Sequence, residues 1–124
     1  MRLSYLFIAA AVLSLVYGVG FTLLPEQVTS IYGIVTDSGG LLFARLFGAS
    51  LVAFGVLTWL VRNSGNSDAL RSILLGLLVL NALSFLVLLF AQLGGTLNGL
   101  GWINVAVFLL FALGFAYFLR PATS

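Results

Sequence analysis

The sequence contains no cysteine, no histidine and no lysine. Cysteine and histidine are the usual ligands of haem, zinc, copper and iron–sulfur centres, so we expect no cofactor and no metal site. Without lysine a Schiff-base mechanism is excluded. Without cysteine the chain has no disulfide and no thiol nucleophile.

Charge is almost as scarce. Five arginines and three acidic residues make up 6% of the 124 residues, whereas a soluble domain carries roughly 25% charged residues. Hydrophobic residues make up 62%, and so few charges could not keep the surface of a small globule hydrated. The composition excludes a soluble domain, a disordered chain and a nucleic-acid-binding protein. It predicts a membrane protein made almost entirely of spans.

Four hydrophobic stretches are long enough to cross a bilayer core of roughly 30 Å. They cover residues 3–24, 41–61, 70–91 and 100–119. The stretches are continuous rather than alternating, which favours helices over barrel strands. We therefore predict one all-α domain over residues 1–124, a transmembrane four-helix bundle with up-down-up-down topology. The first stretch could also be a signal peptide, but it exceeds the typical hydrophobic region of roughly 7–15 residues, which favours a retained span.

The loop after the first span predicts a short interfacial helix. Pro25 suits the first helical position, and Glu26 suits the positive end of the helix dipole. Gly33 ends the segment. The predicted apolar face contains Val28, Ile31 and Tyr32. Further along, Asp37 and Asp68 are predicted to cap the second and third spans.

The arginines predict the orientation in the membrane. If the chain crosses four times, one side carries Arg2, Arg62, Arg71 and Arg120. The other side carries Glu26 and Asp37, and the third loop has no charge. By the positive-inside rule both termini are cytoplasmic, in a multi-pass protein of the cell (inner) membrane.

Polar residues within the spans are candidate functional residues, because they are expensive in lipid. The candidate pocket or structural bridge comprises Tyr17, Glu26, Arg45, Asn81, Ser84 and Asn104. Arg45 cannot lose its charge. It is expected to pair with Glu26 or Asp37, to hold an anionic headgroup or ligand, or to extend its side chain to the headgroups. Pairing with Glu26 is favoured, with Tyr17 or Asn104 completing the hydrogen bonds.

No carboxylate, histidine, cysteine or lysine lies within a predicted span, so we expect no enzymatic activity. The sequence predicts an accessory or interaction subunit that contacts membrane lipids and binds lipid or a small apolar or anionic molecule near Arg45. The alternative is a small solute carrier. Ala10, Ser14 and Gly18 form a ridge of small residues, which suits packing within the chain or a homo-oligomer. The sequence is also compatible with a larger membrane-protein partner.

Several local motifs resemble the DoxX-like group of small four-span bacterial membrane proteins, in an uncharacterised branch. They are Pro25 followed by Tyr32-Gly33, Arg45-Leu46-Phe47-Gly48 with Gly55 and Trp59, and Asn98 with Gly101-Trp102. The resemblance covers nearly the whole chain. It implies a compact four-helix bundle and an important arginine near the start of the second span.

The predicted orientation can be tested by cysteine labelling, because the chain has no native cysteine. We expect an impermeant thiol reagent to label Ser38→Cys in intact cells. Ser64→Cys and Ser124→Cys should react only after the membrane is opened. Labelling of Ser64→Cys in intact cells would exclude cytoplasmic termini.

Overall fold

A computed structural model describes residues 2–119, and this part of the chain is helical with no strand. The helices are α1 Leu3–Leu23, α2 Pro25–Ile31, α3 Ser38–Leu60, α4 Asp68–Leu93 and α5 Gly101–Leu119. The predictions that involve Arg120 and Ser124 lie outside the described residues.

Four of the helices are long and apolar enough to cross a membrane. The shortest of these, α5, has 19 residues and the longest, α4, has 26. At 1.5 Å per residue they extend about 29 to 39 Å, enough for a hydrocarbon core of about 30 Å. The all-α class with four spans is therefore confirmed. The main difference from the sequence prediction is that α3 begins three residues earlier, at Ser38 rather than Leu41.

The chain forms two compact units, Met1–Asn63 and Ser64–Ser124. The first contains α1, α2 and α3, and the second contains α4 and α5. The units are described separately below. The single domain over residues 1–124 stays a prediction.

Helices α1 and α3 pack with their backbones in close contact. A Cβ atom placed on Gly48 would lie 2.6 Å from the backbone nitrogen of Thr22 and 2.7 Å from the carbonyl oxygen of Gly18. A Cβ atom on Gly55 would lie 2.6 Å from the Leu15 side chain. Only glycine allows such an approach, and small residues are the usual means of helix association in lipid. Gly18, the last residue of the predicted small-residue ridge, thus packs within the chain.

The helix α2 confirms the predicted helix of the first loop, but one residue of the predicted apolar face is turned toward the protein. Gly33 has φ 74°, and its backbone nitrogen donates to the carbonyl oxygen of Ser30, which ends the helix as predicted. The buried residues are Pro25, Thr29 and Tyr32, whereas Ile31 is exposed. Of the predicted apolar face, only the placement of Tyr32 is wrong: Tyr32 lies on the protein side of α2, which follows the positions i, i+4 and i+7 from Pro25.

Side-chain caps begin α3 and α4. The Asp37 carboxylate accepts from the backbone nitrogen of Gly40 at 2.8 Å, which confirms Asp37 as the cap of α3. For α4 the cap is Ser67, whose hydroxyl oxygen accepts from the backbone nitrogen of Leu70 at 3.1 Å. The prediction of Asp68 was wrong by one residue: Asp68 occupies the first helical turn, where its charge suits the helix dipole.

In the second unit, contacts at both ends hold α4 beside α5. At one end Arg71 Nη2 donates to the carbonyl oxygen of Leu119 at 3.2 Å. At the other end Gly101 lies against the side chain of Gln92. Leu74 and Leu77 of α4 are buried between these ends. The two helices are therefore antiparallel neighbours joined by residues 94–100.

We expect Gly48→Ala to destabilise the protein, because the added methyl group would meet the α1 backbone. Overpacking of this kind costs about 1–3 kcal/mol. The measurement is the free energy of unfolding in mixed detergent micelles. Gly76→Ala is the matched control, because a Cβ atom at Gly76 meets nothing within 4 Å. Equal stability of the two variants would contradict the close packing.

Candidate functional site

The packing of α1 against α3 determines the depth of Arg45. Three approaches, Thr22 to Gly48, Gly18 to Val52 and Leu15 to Gly55, share one antiparallel register. Continuing that register for three residues beyond Gly48 and Thr22 places Arg45 level with Pro25. Arg45 therefore lies at the level where α1 ends and α2 begins. It is about 10 Å along α3 from the helix start at Ser38.

Aromatic contacts show which flank of the α1–α3 pair α2 occupies. Phe47 of α3 contacts Phe21 of α1 edge to face, with ring centroids 5.3 Å apart. Phe21 in turn stacks with Tyr17 at 6.5 Å. The hydroxyl of Tyr17 lies 3.1 Å from that of Tyr32, directly after α2, and either can donate. The helix α2 thus lies on the same flank as Phe47.

Arg45 lies on the other flank of α3. Arg45 is two positions before Phe47, which corresponds to about 200° around a helix. Glu26, in the first turn of α2, is exposed, and so is Arg45. Within residues 2–119 the structure records no ion pair between them. The expected bridge is not formed, because the two residues share a level but lie on different flanks.

The candidate residues of the second unit are spread along its helices. Asn81 is buried, and its Nδ2 donates to the carbonyl oxygen of Leu77 in the same helix at 2.7 Å. Ser84 is half-buried one turn further along α4, and Asn104 is half-buried in α5. The contact of Gln92 with Gly101 places Asn104 about 12 Å from the level of Asn81 along the helix axes. The two amides therefore do not form one site within this unit.

The six candidate residues divide equally between the two units. Tyr17, Glu26 and Arg45 belong to the first, and Asn81, Ser84 and Asn104 belong to the second. The pocket predicted to contain them all stays a prediction. Within the first unit the structure brings Tyr17 together with Tyr32. The sequence predicts Tyr32 on an apolar face and not as a partner of Tyr17. The i, i+7 spacing of Pro25 and Tyr32 places the two residues on one side of a helix. This spacing was the sequence signal for a protein-facing Tyr32.

A second polar cluster, also missed as a unit, lies at the turn between α4 and α5. Gln92 is buried, and its Nε2 donates to the carbonyl oxygen of Asn98 at 3.0 Å. Asn98 Oδ1 accepts from the backbone nitrogen of Leu100 at 3.0 Å. Gly95 has φ 80°, which lets the chain reverse. Gln92 Oε1 is buried without a hydrogen-bond partner. These contacts shape the turn.

Two other arginines neutralise helix ends with backbone contacts. Arg62 Nη1 donates to the carbonyl oxygen of Trp59 at 2.6 Å, and its guanidinium lies 3.8 Å from the centre of the Trp59 ring. Arg71 donates to the last carbonyl oxygen of α5, at Leu119. Both cations lie at the negative ends of helices, where charge and dipole attract. Arg45 instead lies within α3, 15 residues before the end of that helix at Leu60.

The comparisons with known proteins provide no relative. No family model, curated protein or solved structure matches this chain. The resemblance to the DoxX-like group stays a prediction. In residues 2–119 no three acidic side chains come together in a way that could hold a metal ion.

Because Arg45 and Glu26 lie on different flanks, we expect their substitutions to act independently. Arg45→Gln, Glu26→Gln and the double variant should show free-energy changes of unfolding that add within about 0.5 kcal/mol. Unfolding in detergent measures all three. If the double variant loses clearly less stability than the sum of the two single losses, the two residues form an ion pair after all.

Proposed function

We propose that this small multi-pass membrane protein is a non-enzymatic accessory or interaction subunit of the cell membrane that binds the headgroup of an anionic lipid at Arg45. The observation that carries the proposal is the placement of Arg45. It is exposed, it lies at the level where the span α1 ends, and it lies on the flank away from Glu26.

A permanent charge at this depth needs an anion. Arginine costs up to about 3 kcal/mol at the bilayer centre on insertion scales and less toward the boundary. Lipid phosphate groups are the anions that occupy the boundary region. The planar guanidinium can donate two parallel hydrogen bonds to a phosphate, which makes arginine the preferred residue for this group.

The orientation belongs to the same proposal. With both termini cytoplasmic, Arg45 lies in the outer half of the membrane. Arg2, Arg62 and Arg71 then lie at the cytoplasmic ends of their helices. This distribution follows the positive-inside rule and supports the cell membrane as the location.

Lipid binding can be measured by native mass spectrometry of the protein released from nanodiscs. We expect a retained phosphatidylglycerol molecule in the native protein and loss of most of it in Arg45→Gln. Arg62→Gln is the matched control, because it removes the same charge from a residue that contacts Trp59. Nanodiscs of phosphatidylcholine, and inorganic phosphate added to detergent-solubilised protein, form the other two arms.

The three arms distinguish a lipid from a free ion. Retention of phosphatidylglycerol that depends on Arg45 supports the proposal. Equal retention by Arg45→Gln, or equal retention of phosphatidylcholine, contradicts it. Binding of inorganic phosphate without any lipid preference would show an anion site in place of a headgroup site.

A further inference from the structure

The helix α2 folds back along α1 instead of continuing it. Only Leu24 separates the two helices, and its φ of −131° and ψ of 54° interrupt the helical backbone. In a continuous helix Gly20 and Val28 would be about 12 Å apart. In the structure a Cβ atom on Gly20 would lie 3.2 Å from Cγ2 of Val28. The hydroxyl contact between Tyr17 and Tyr32 agrees with this return.

The folded-back helix has three flanks with different chemistry. One flank packs on the protein through the buried residues Pro25, Thr29 and Tyr32. A second flank is polar. It contains Glu26, Gln27 and Ser30, all exposed.

The third flank is apolar. Leu24, Val28 and Ile31 follow the spacing i, i+4 and i+7, so they form one stripe along the helix. Val28 is half-buried against α1, whereas Leu24 is 53% exposed and Ile31 is 56% exposed. More than half of the surface of each of these two side chains is therefore exposed within the first unit.

We propose that α2 lies in the lipid–water boundary, with Leu24 and Ile31 in contact with the acyl chains of the leaflet in which α1 ends. Lipid is the expected contact of this flank because α2 directly follows a candidate membrane span. The helix α1 is a candidate membrane span, and α2 starts one residue after its end. Folding back carries α2 toward the hydrocarbon rather than away from it. A helix with separate apolar and polar flanks is suited to this boundary.

The inference is independent of lipid binding at Arg45, because α2 lies on the opposite flank of α3. It also differs from the sequence prediction, which gave Tyr32 to the membrane face. In the structure Tyr32 is 8% exposed and faces the protein. The lipid-facing residue next to Ile31 along the stripe is Leu24 instead.

Site-directed spin labelling tests the proposal, because the chain has no native cysteine. Leu24→Cys and Ile31→Cys carry a nitroxide on the apolar flank. Gln27→Cys and Ser30→Cys are matched controls on the polar flank of the same helix. In nanodiscs we measure collision rates with oxygen, which concentrates in lipid, and with a water-soluble nickel chelate.

We expect a several-fold higher ratio of oxygen to nickel collisions at residues 24 and 31 than at residues 27 and 30. Similar ratios at all four positions would overturn the proposal, because the helix would then stand in water or be wholly immersed. Low collision rates with both reagents at 24 and 31, together with dipolar broadening, would overturn it in favour of a second copy. All four positions are exposed, and helical circular dichroism verifies folding.

Discussion

The close approach of the α1 and α3 backbones is the contact on which the arrangement of α1, α2 and α3 depends. Lipid provides no hydrophobic force between helices, so association requires close packing. Gly18, Gly48 and Gly55 supply that packing by lacking a side chain where the partner helix passes. Three contacts with a single register leave little freedom to slide. That register then determines which residues of the first loop lie beside which residues of α3.

Three polar side chains of the long helices donate to the carbonyl oxygen four residues earlier in the same helix. Thr22 donates to the carbonyl oxygen of Gly18 at 2.7 Å, and Thr58 donates to that of Phe54 at 2.9 Å. Asn81 uses the same four-residue return to Leu77. Hydrogen bonds of this kind satisfy a polar group in hydrocarbon without the help of a second helix. A guanidinium carries a full charge that one carbonyl does not neutralise, and this distinguishes Arg45 from the other polar residues of the spans.

The first loop makes the two flanks of the first unit unlike at the end where α2 follows α1. One side contains the aromatic contacts and α2, which meets α1 through Tyr32 and Tyr17. The other side contains Arg45. The separation arises because adjacent positions on a helix differ by about 100°, so Phe47 and Arg45 diverge within one turn. The proposed headgroup site and the proposed acyl-chain contact therefore lie on different flanks of the unit.

The sequence by itself determined the spans, because each is a continuous apolar run whose length matches the thickness of the bilayer. It also determined the helix of the first loop, since Pro25 and Gly33 act locally on the backbone. It did not determine the partner of Arg45. Depth follows from counting residues, and the count placed Arg45 and Glu26 at one level. The flank depends on how α1, α2 and α3 pack, and only tertiary structure decided that Leu24 turns α2 away from Arg45.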